Sequence, residues 1–352
     1  MVVALGIAAL VLLVVGIVVA DRDSGNVVTD AVSSPSVGEA VAPAAPVAEA
    51  VDDDSSLWSL VSYESGTGLL GVVAAGPGFV AVGGRDGNAA VWTSVDGLAW
   101  SRVAHDEAVF GGDGESGMAA VAVGGPGLVA VGSQYVCTEQ EVLDEGGSPR
   151  VDEVGNPEPD TVCVDGNAVV WTSVDGLTWS RVPHDEAVFG GPRRVYQMSS
   201  VTAGGPGLVA VGWSDDFGEG DPLNAGDVND GDAVVWTSVD GLSWTRVPWD
   251  EEEAFARDSA MLSVTAGGPG LIAVGHGGDW VSRVWTSIDG VEWSRVTHAN
   301  AAEMGEYMAD LAAGGPGLLA VGSRDDEDTV WTSPDGLTWS LAPNISIPEP
   351  GP

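Results

Sequence analysis

The string "VWTSVDGLTW", residues 170–179, returns five times in this chain with small edits. Its Asp falls at Asp96, Asp175, Asp240, Asp289 and Asp335, and its closing Trp at Trp100, Trp179, Trp244, Trp293 and Trp339. A second marker, "AGGPGLVAVG" at 203–212, also occurs five times, with its Pro at 77, 126, 206, 269 and 316. Two interleaved markers make a repeat array, and an array of short β-rich units must stack to bury its faces. The period is irregular: the Asp residues are 79, 65, 49 and 46 apart. From each Asp to the next marker Pro the spacing is nearly constant, at 30, 31, 29 and 27. From each Pro to its own Asp it swings between 19 and 49, so the long insertions share one segment of the repeat.

Each unit reads as four short strands. In the third unit they are "SSVTAG", "LVAVGW", "AVVWTS" and "LSWTRV", here called A to D. The 51 Gly residues and the β-branched runs suit strands with Gly-rich turns. The expected fold is all-β: a β-propeller of four-stranded antiparallel blades over residues 57–343, five blades favoured and six the alternative. The alternative arises because "LWSLV" at 57–61 reads as a sixth D strand.

Residues 1–20 contain no charge, and a helix of that length spans about 30 Å, the thickness of a bilayer core. They are expected to form a signal-anchor helix, with the domain secreted if the segment is cleaved. Residues 21–56, rich in Ala, Pro, Ser and acid, read as a disordered linker, and 344–352 as a Pro-rich tail. The expected location is membrane-anchored, with the propeller outside the cytoplasm. The chain has 52 acidic residues against 12 basic ones, all Arg, for a net charge of −40. That charge repels phosphate backbones and excludes nucleic acid as a partner.

The repeated string resembles the Asp-box of bacterial neuraminidase (sialidase-like) repeats, Ser-x-Asp-x-Gly-x-Thr-Trp, carried here by Ser173, Asp175, Gly176, Thr178 and Trp179 and by its four copies. This version is one residue shorter between Asp and Trp. The resemblance implies a box in the C–D turn of each blade. Asp-Gly is then expected to be a two-residue type I′ hairpin, with Val174 opposite Leu177 and Thr172 opposite Trp179. Trp171 and Trp179 would lie on opposite sheet faces, one for each neighbouring blade. The resemblance also implies, for a sialidase, three clustered Arg, a Tyr–Glu nucleophile pair, an Asp acid/base and an Arg-Ile-Pro string. The string is absent, and Arg102, Arg181, Arg246 and Arg295 follow the box Trp on the outer strand. Arg193, Arg194 and Arg257 fall in D–A connections; Arg85, Arg283 and Arg324 lie close to B–C loops. Tyr307 beside Glu306 is the only suggestive pair.

Antiparallel order places the A–B and C–D turns at one end and the insertions at the other, where specificity is expected. The insertion at 133–167 holds both cysteines, Cys137 and Cys163, on extended strand ends suited to a cross-strand disulfide. The insertion at 214–232 supplies binding candidates Asp215, Asp216, Glu219, Asp221, Asp227, Asp230 and Asp232. In the same insertion Asp227, Asn229 and Asp230 are the calcium candidates, although Asp232 stands where a calcium loop needs Gly. His105, His184 and His298 share the D–A position and His276 a B–C loop, a rim arrangement and not a metal set. The sequence therefore leads to a tethered binding module for a glycan or protein; the alternative is a carbohydrate-active enzyme using carboxylates of a central pocket.

Overall fold

The computed structural model describes residues 67–342 except 113, 141–159, 192–193, 217–230, 249–258, 280, 298–306, 316 and 325–326. The expected N-terminal helix, linker, sixth D strand and C-terminal tail lie outside the described residues, as do Glu219, Asp221, Asp227, Asn229, Asp230 and His298. No helix among the described residues is long and apolar enough to cross a membrane.

Five four-stranded antiparallel units follow one another as propeller-like blades. Blade 1 comprises β1 (Thr67–Ala75), β2 (Gly78–Arg85), β3 (Asn88–Ser94) and β4 (Ser101–Arg102). Blade 2 comprises β5 (Glu115–Gly124), β6 (Gly127–Gln140), β7 (Asp160–Ser173) and β8 (Trp179–Arg181). Blade 3 comprises β9 (Arg194–Gly204), β10 (Gly207–Asp216), β11 (Asp232–Ser238) and β12 (Trp244–Arg246). Blade 4 comprises β13 (Ser259–Gly267), β14 (Gly270–Gly277), β15 (Ser282–Ser287) and β16 (Trp293–Arg295). Blade 5 comprises β17 (Tyr307–Gly314), β18 (Gly317–Arg324), β19 (Glu327–Ser333) and β20 (Ser340–Leu341). A single parallel pair, Gly166 with Val195, joins blades 2 and 3 into one eight-stranded sheet. No sheet closes on itself among the described residues. Two short helices, α1 (Glu107–Phe110) and α2 (Glu186–Phe189), lie in D–A connections, each capped by an Asp side chain (Asp106, Asp185).

The register corrects the expected hairpin. Trp179 pairs with Ser173, Ser180 with Thr172 and Arg181 with Trp171, leaving a five-residue loop where a two-residue turn was expected. Type I′ needs positive φ at both central residues. Gly176 has φ +76°, but the only described non-Gly residue with positive φ is Asp86. The carboxylate is the reason. Asp175 Oδ1 accepts from the backbone N–H groups of Leu177 (2.8 Å) and Thr178 (2.7 Å), closing an Asx-type loop. Ser173 Oγ accepts from Gly176 N–H at 2.8 Å, and the Trp179 indole donates to the Gly176 carbonyl at 3.0 Å. The same set recurs at Asp96, Asp240, Asp289 and Asp335. These amide donors hold each box carboxyl below its ordinary pKa, the N–H three residues on contributing most.

The register also corrects the faces. Trp171 and Ser173 are two apart on β7, and Trp179 is directly opposite Ser173, so both Trp side chains share one face. That front face meets the rear of the preceding blade. Trp171 and Trp179 pack with Val80, Val82 and Val91 of blade 1. Trp236 and Trp244 likewise pack on blade 2, Trp285 and Trp293 on blade 3, and Trp331 and Trp339 on blade 4. The two turns named by the repeat markers meet at the same seam. A Cβ added at Gly176 would fall 2.8 Å from Val80 and 3.5 Å from Pro77, both of blade 1. One added at Gly205, where φ is +55°, would fall 2.7 Å from the carbonyl of Asp289 in the next blade. Glycine is required at both by backbone conformation and by close approach. The expectation that A–B turns and boxes share one end therefore holds.

Candidate functional site

At the opposite end of the seam between blades 2 and 3 the described residues open a cleft of about 380 Å³. Three strand ends build it. Tyr196, Ser214 and Asp232 form one row across β9, β10 and β11, each paired directly with the next. Arg194 lies two residues from Tyr196 on the same face, and Arg246 comes from β12. Arg194 donates to Ser214 Oγ (3.4 Å) and to Asp232 Oδ2 (3.3 Å), the latter an ion pair. Arg246 donates to the Gly190 carbonyl at 2.9 Å, and its guanidinium sits 4.6 Å over the Tyr196 ring. Stacking on an aromatic face holds a cation without removing its outward donors.

The equivalent corner of blade 2 is filled. Gln134 stands where blade 3 has Ser214, and Asn167 pairs with it as Asp232 pairs with Ser214. Arg181 donates there both to the Gln134 side chain and to the Gly111 carbonyl, and burial lowers its pKa. A short Ser for a long Gln, with Asp for Asn, converts a closed corner into a charged recess.

Of the described binding candidates, the structure brings only Asp232 to the cleft. Asp215 is buried and pairs with Val195; as the neighbour of Ser214 it points to the other face. Asp216 ends β10 opposite Arg194. Arg194, expected in a D–A connection, is the first residue of β9. Tyr196, Ser214 and Arg246 had no place among the binding candidates. Their signal was a break in the repeat: Gln to Ser between equivalent strand ends. Cys137 and Cys163 face each other in the β6–β7 register.

His105 and His184 bond to Glu107 and Glu186 at 2.9 and 3.0 Å, on loops whose Phe110 and Phe189 are buried. His276 was expected in a loop. It instead lies within β14, next to its last residue, buried, with Nδ1 3.0 Å from the Gly277 carbonyl and an edge-on contact to Tyr307; burial lowers its pKa. Among the described residues no group of three His, Cys, Asp or Glu could hold a metal. On the innermost strands the position after each bulge is Gly71, Ala120, Ser200, Ser263 or Asp310. Asp310 accepts from Ser263 Oγ (2.7 Å) and Leu311 N–H (2.8 Å), and burial raises its pKa.

No family model and no curated protein matches the chain. Solved structures do. The chain is similar to Trypanosoma rangeli sialidase in complex with the inhibitor DANA, at 15% identity and TM-score 0.46, covering 80% of this chain and 48% of that one. The sialic acid complex of the same sialidase gives 14% identity and TM-score 0.47, over 78% and 47%. A protein of unknown function from Dyadobacter fermentans gives 13% identity and TM-score 0.47, over 80% and 84%. The chain spans about half the length of the sialidase structures it matches.

Proposed function

We propose that this chain is an Asp-box β-propeller, tethered to a membrane by residues 1–20 and held outside the cytoplasm, that binds a glycan through the insertion-bearing end of blades 2 and 3. The observation that carries this reading is the recess of Arg194, Ser214, Asp232 and Arg246 around Tyr196, open where its blade 2 counterpart is filled. Forked guanidinium donors beside a carboxylate suit adjacent hydroxyls, and a few convergent polar groups in a concave site give orientation and specificity. The recess lies at the low end of ligand-site volumes, suited to one sugar residue of a longer chain. A protein ligand remains the other outcome. The test is a glycan array with the full-length chain, with and without calcium, repeated with Arg246→Ala. Binding without turnover that drops tenfold or more in the variant supports the reading; unchanged binding places the ligand elsewhere.

The second reading, a carbohydrate-active enzyme, has Asp310 in its favour. Burial on an innermost strand raises the Asp310 pKa, the direction in which a general acid is tuned. Released sugar that disappears in Asp310→Asn would establish it and overturn the first.

A further inference from the structure

The front face of blade 1 is made like the other four, and its Ala81, Ala90 and Trp92 are buried, yet among the described residues no other blade covers it. Its cluster, Ala81, Ala90 and Trp92 with Leu69, Val72 and Trp100, consists of blade 1 residues alone. Trp100 is half-buried, while Trp179, Trp244, Trp293 and Trp339 are buried. An added Cβ at Gly97 would meet only Phe79 of its own blade. The polar chemistry shows what is missing. At two interior seams the strand-C indole donates to a carbonyl in the connection that precedes its blade: Trp171 to Val109 at 2.6 Å, and Trp236 to Val188 at 2.8 Å. Trp285 and Trp331 also have partners. Among the described residues no acceptor meets the Trp92 indole N–H.

We propose that residues 57–66 of this chain dock on that face, with Leu57–Val61 as a sixth D-type strand and a main-chain carbonyl of 62–66 accepting the Trp92 indole. At interior seams the chain after each D strand does this work. Val103 and Phe110 follow β4 and pack beneath Trp171 and Trp179. "LWSLV" precedes β1 as "AWSRV" precedes β5, with Trp58 in the place of Trp100. The reach suffices: Val61 to Thr67 spans at most about 20 Å extended. The stretch "SYESG" lacks the Asp-Glu-Ala-Val-Phe turn of the longer connections, so the cover is thinner, in keeping with a half-buried Trp100. A second copy is the disfavoured occupant. Two chains of charge −40 repel, while a segment joined to β1 acts at high effective concentration.

Hydrogen–deuterium exchange on the full-length chain tests this with two variants, Trp58→Ser and Trp92→Phe. Each should speed backbone exchange about tenfold or more in both 57–66 and 88–102, leaving 271–287 unchanged as the control for folding. If Trp58→Ser leaves 88–102 unchanged, or if protection there depends on protein concentration, the proposal is overturned, the second result in favour of another copy.

Discussion

The seam between blades 2 and 3 and the front of blade 1 are written in nearly the same letters. Both offer a box Gly in left-handed conformation, a strand-C Trp and a strand-D Trp. In the seam, Trp236 is fully buried, its indole is bonded, and Gly241 lies against Val129 and Pro126. On blade 1, the described residues packed with Trp92 all belong to its own blade. The far end of the array mirrors this. Leu319 and Val330 of blade 5 are half-buried, whereas their register equivalents in blade 4, Ile272 and Val284, are buried completely. The repeat thus encodes half an interface per blade, and what completes it depends on chain position. In solenoid terms each blade has its own stability plus a neighbour term, and among the described residues the end blades have one blade neighbour where interior blades have two.

The largest contrast should come from tryptophan. Trp236→Ala removes a fully buried ring and orphans the Val188 carbonyl, an expected loss of about 3–5 kcal/mol. Trp92→Ala should cost clearly less. Urea midpoints of the two variants check this, and equal losses would mean that blade 1 is covered as fully as the interior.

Glycine gives a smaller, cleaner contrast. Gly205 and Gly315 occupy the same turn with the same φ of +55°. Alanine at either pays the left-handed penalty, of order 1–2 kcal/mol. At Gly205 its Cβ would also meet the Asp289 carbonyl, whereas at Gly315 nothing lies within 4 Å. The midpoint of Gly205→Ala should therefore fall further than that of Gly315→Ala, and a reversed order would break the comparison.

The box carboxylates should ignore the contrast altogether, because their bonds are local. Asp240 and Asp96 accept from the same two amides at either kind of site, and both have lowered pKa values. A lowered carboxyl contributes stability that is present above its ordinary value near 3.8 and fades as pH falls toward the lowered one. Asp240→Asn and Asp96→Asn should lower the neutral-pH midpoint alike, and both deficits should shrink in acid. A deficit confined to Asp240 would mean that the seam, and not the loop, sets the carboxylate's contribution.

How much of this was legible follows from where each interaction lives. The marker spacing revealed the four-strand order of each described unit and the end carrying the insertions, because a repeat writes those into the chain directly. The repeated string was placed correctly in the C–D turn, but its expected two-residue hairpin is not the turn it forms. Asp-Gly favours a two-residue turn only when nothing competes, and here Asp175 Oδ1 captures two amides and widens the loop. That change of register moved Trp179 to the face of Trp171 and turned a two-sided glue into a one-sided plug. The acidic insertion drew attention by composition, yet the cleft is made mostly by residues flanking it. Tyr196 and Arg246 are 50 positions apart and meet only through the blade's four-strand order.

The smallest expected effect has the opposite sign from the boxes and sits at an interior seam. Asp310 of blade 5 accepts from Ser263 of blade 4, and burial raises its pKa. A raised carboxyl is stabilising while protonated. As pH climbs from about 3.8 through the raised value, the unfolded chain ionises first and the folded state loses ground. Asp310→Asn keeps an acceptor for the Ser263 hydroxyl and the Leu311 amide but cannot ionise. Its midpoint should match the parent's near pH 3.5 and equal or exceed it at pH 7, with the gap opening between them. A variant less stable at pH 7 than at pH 3.5, relative to the parent, would show that the ionised carboxylate is itself a contact of the last interior seam, the seam of blades 4 and 5.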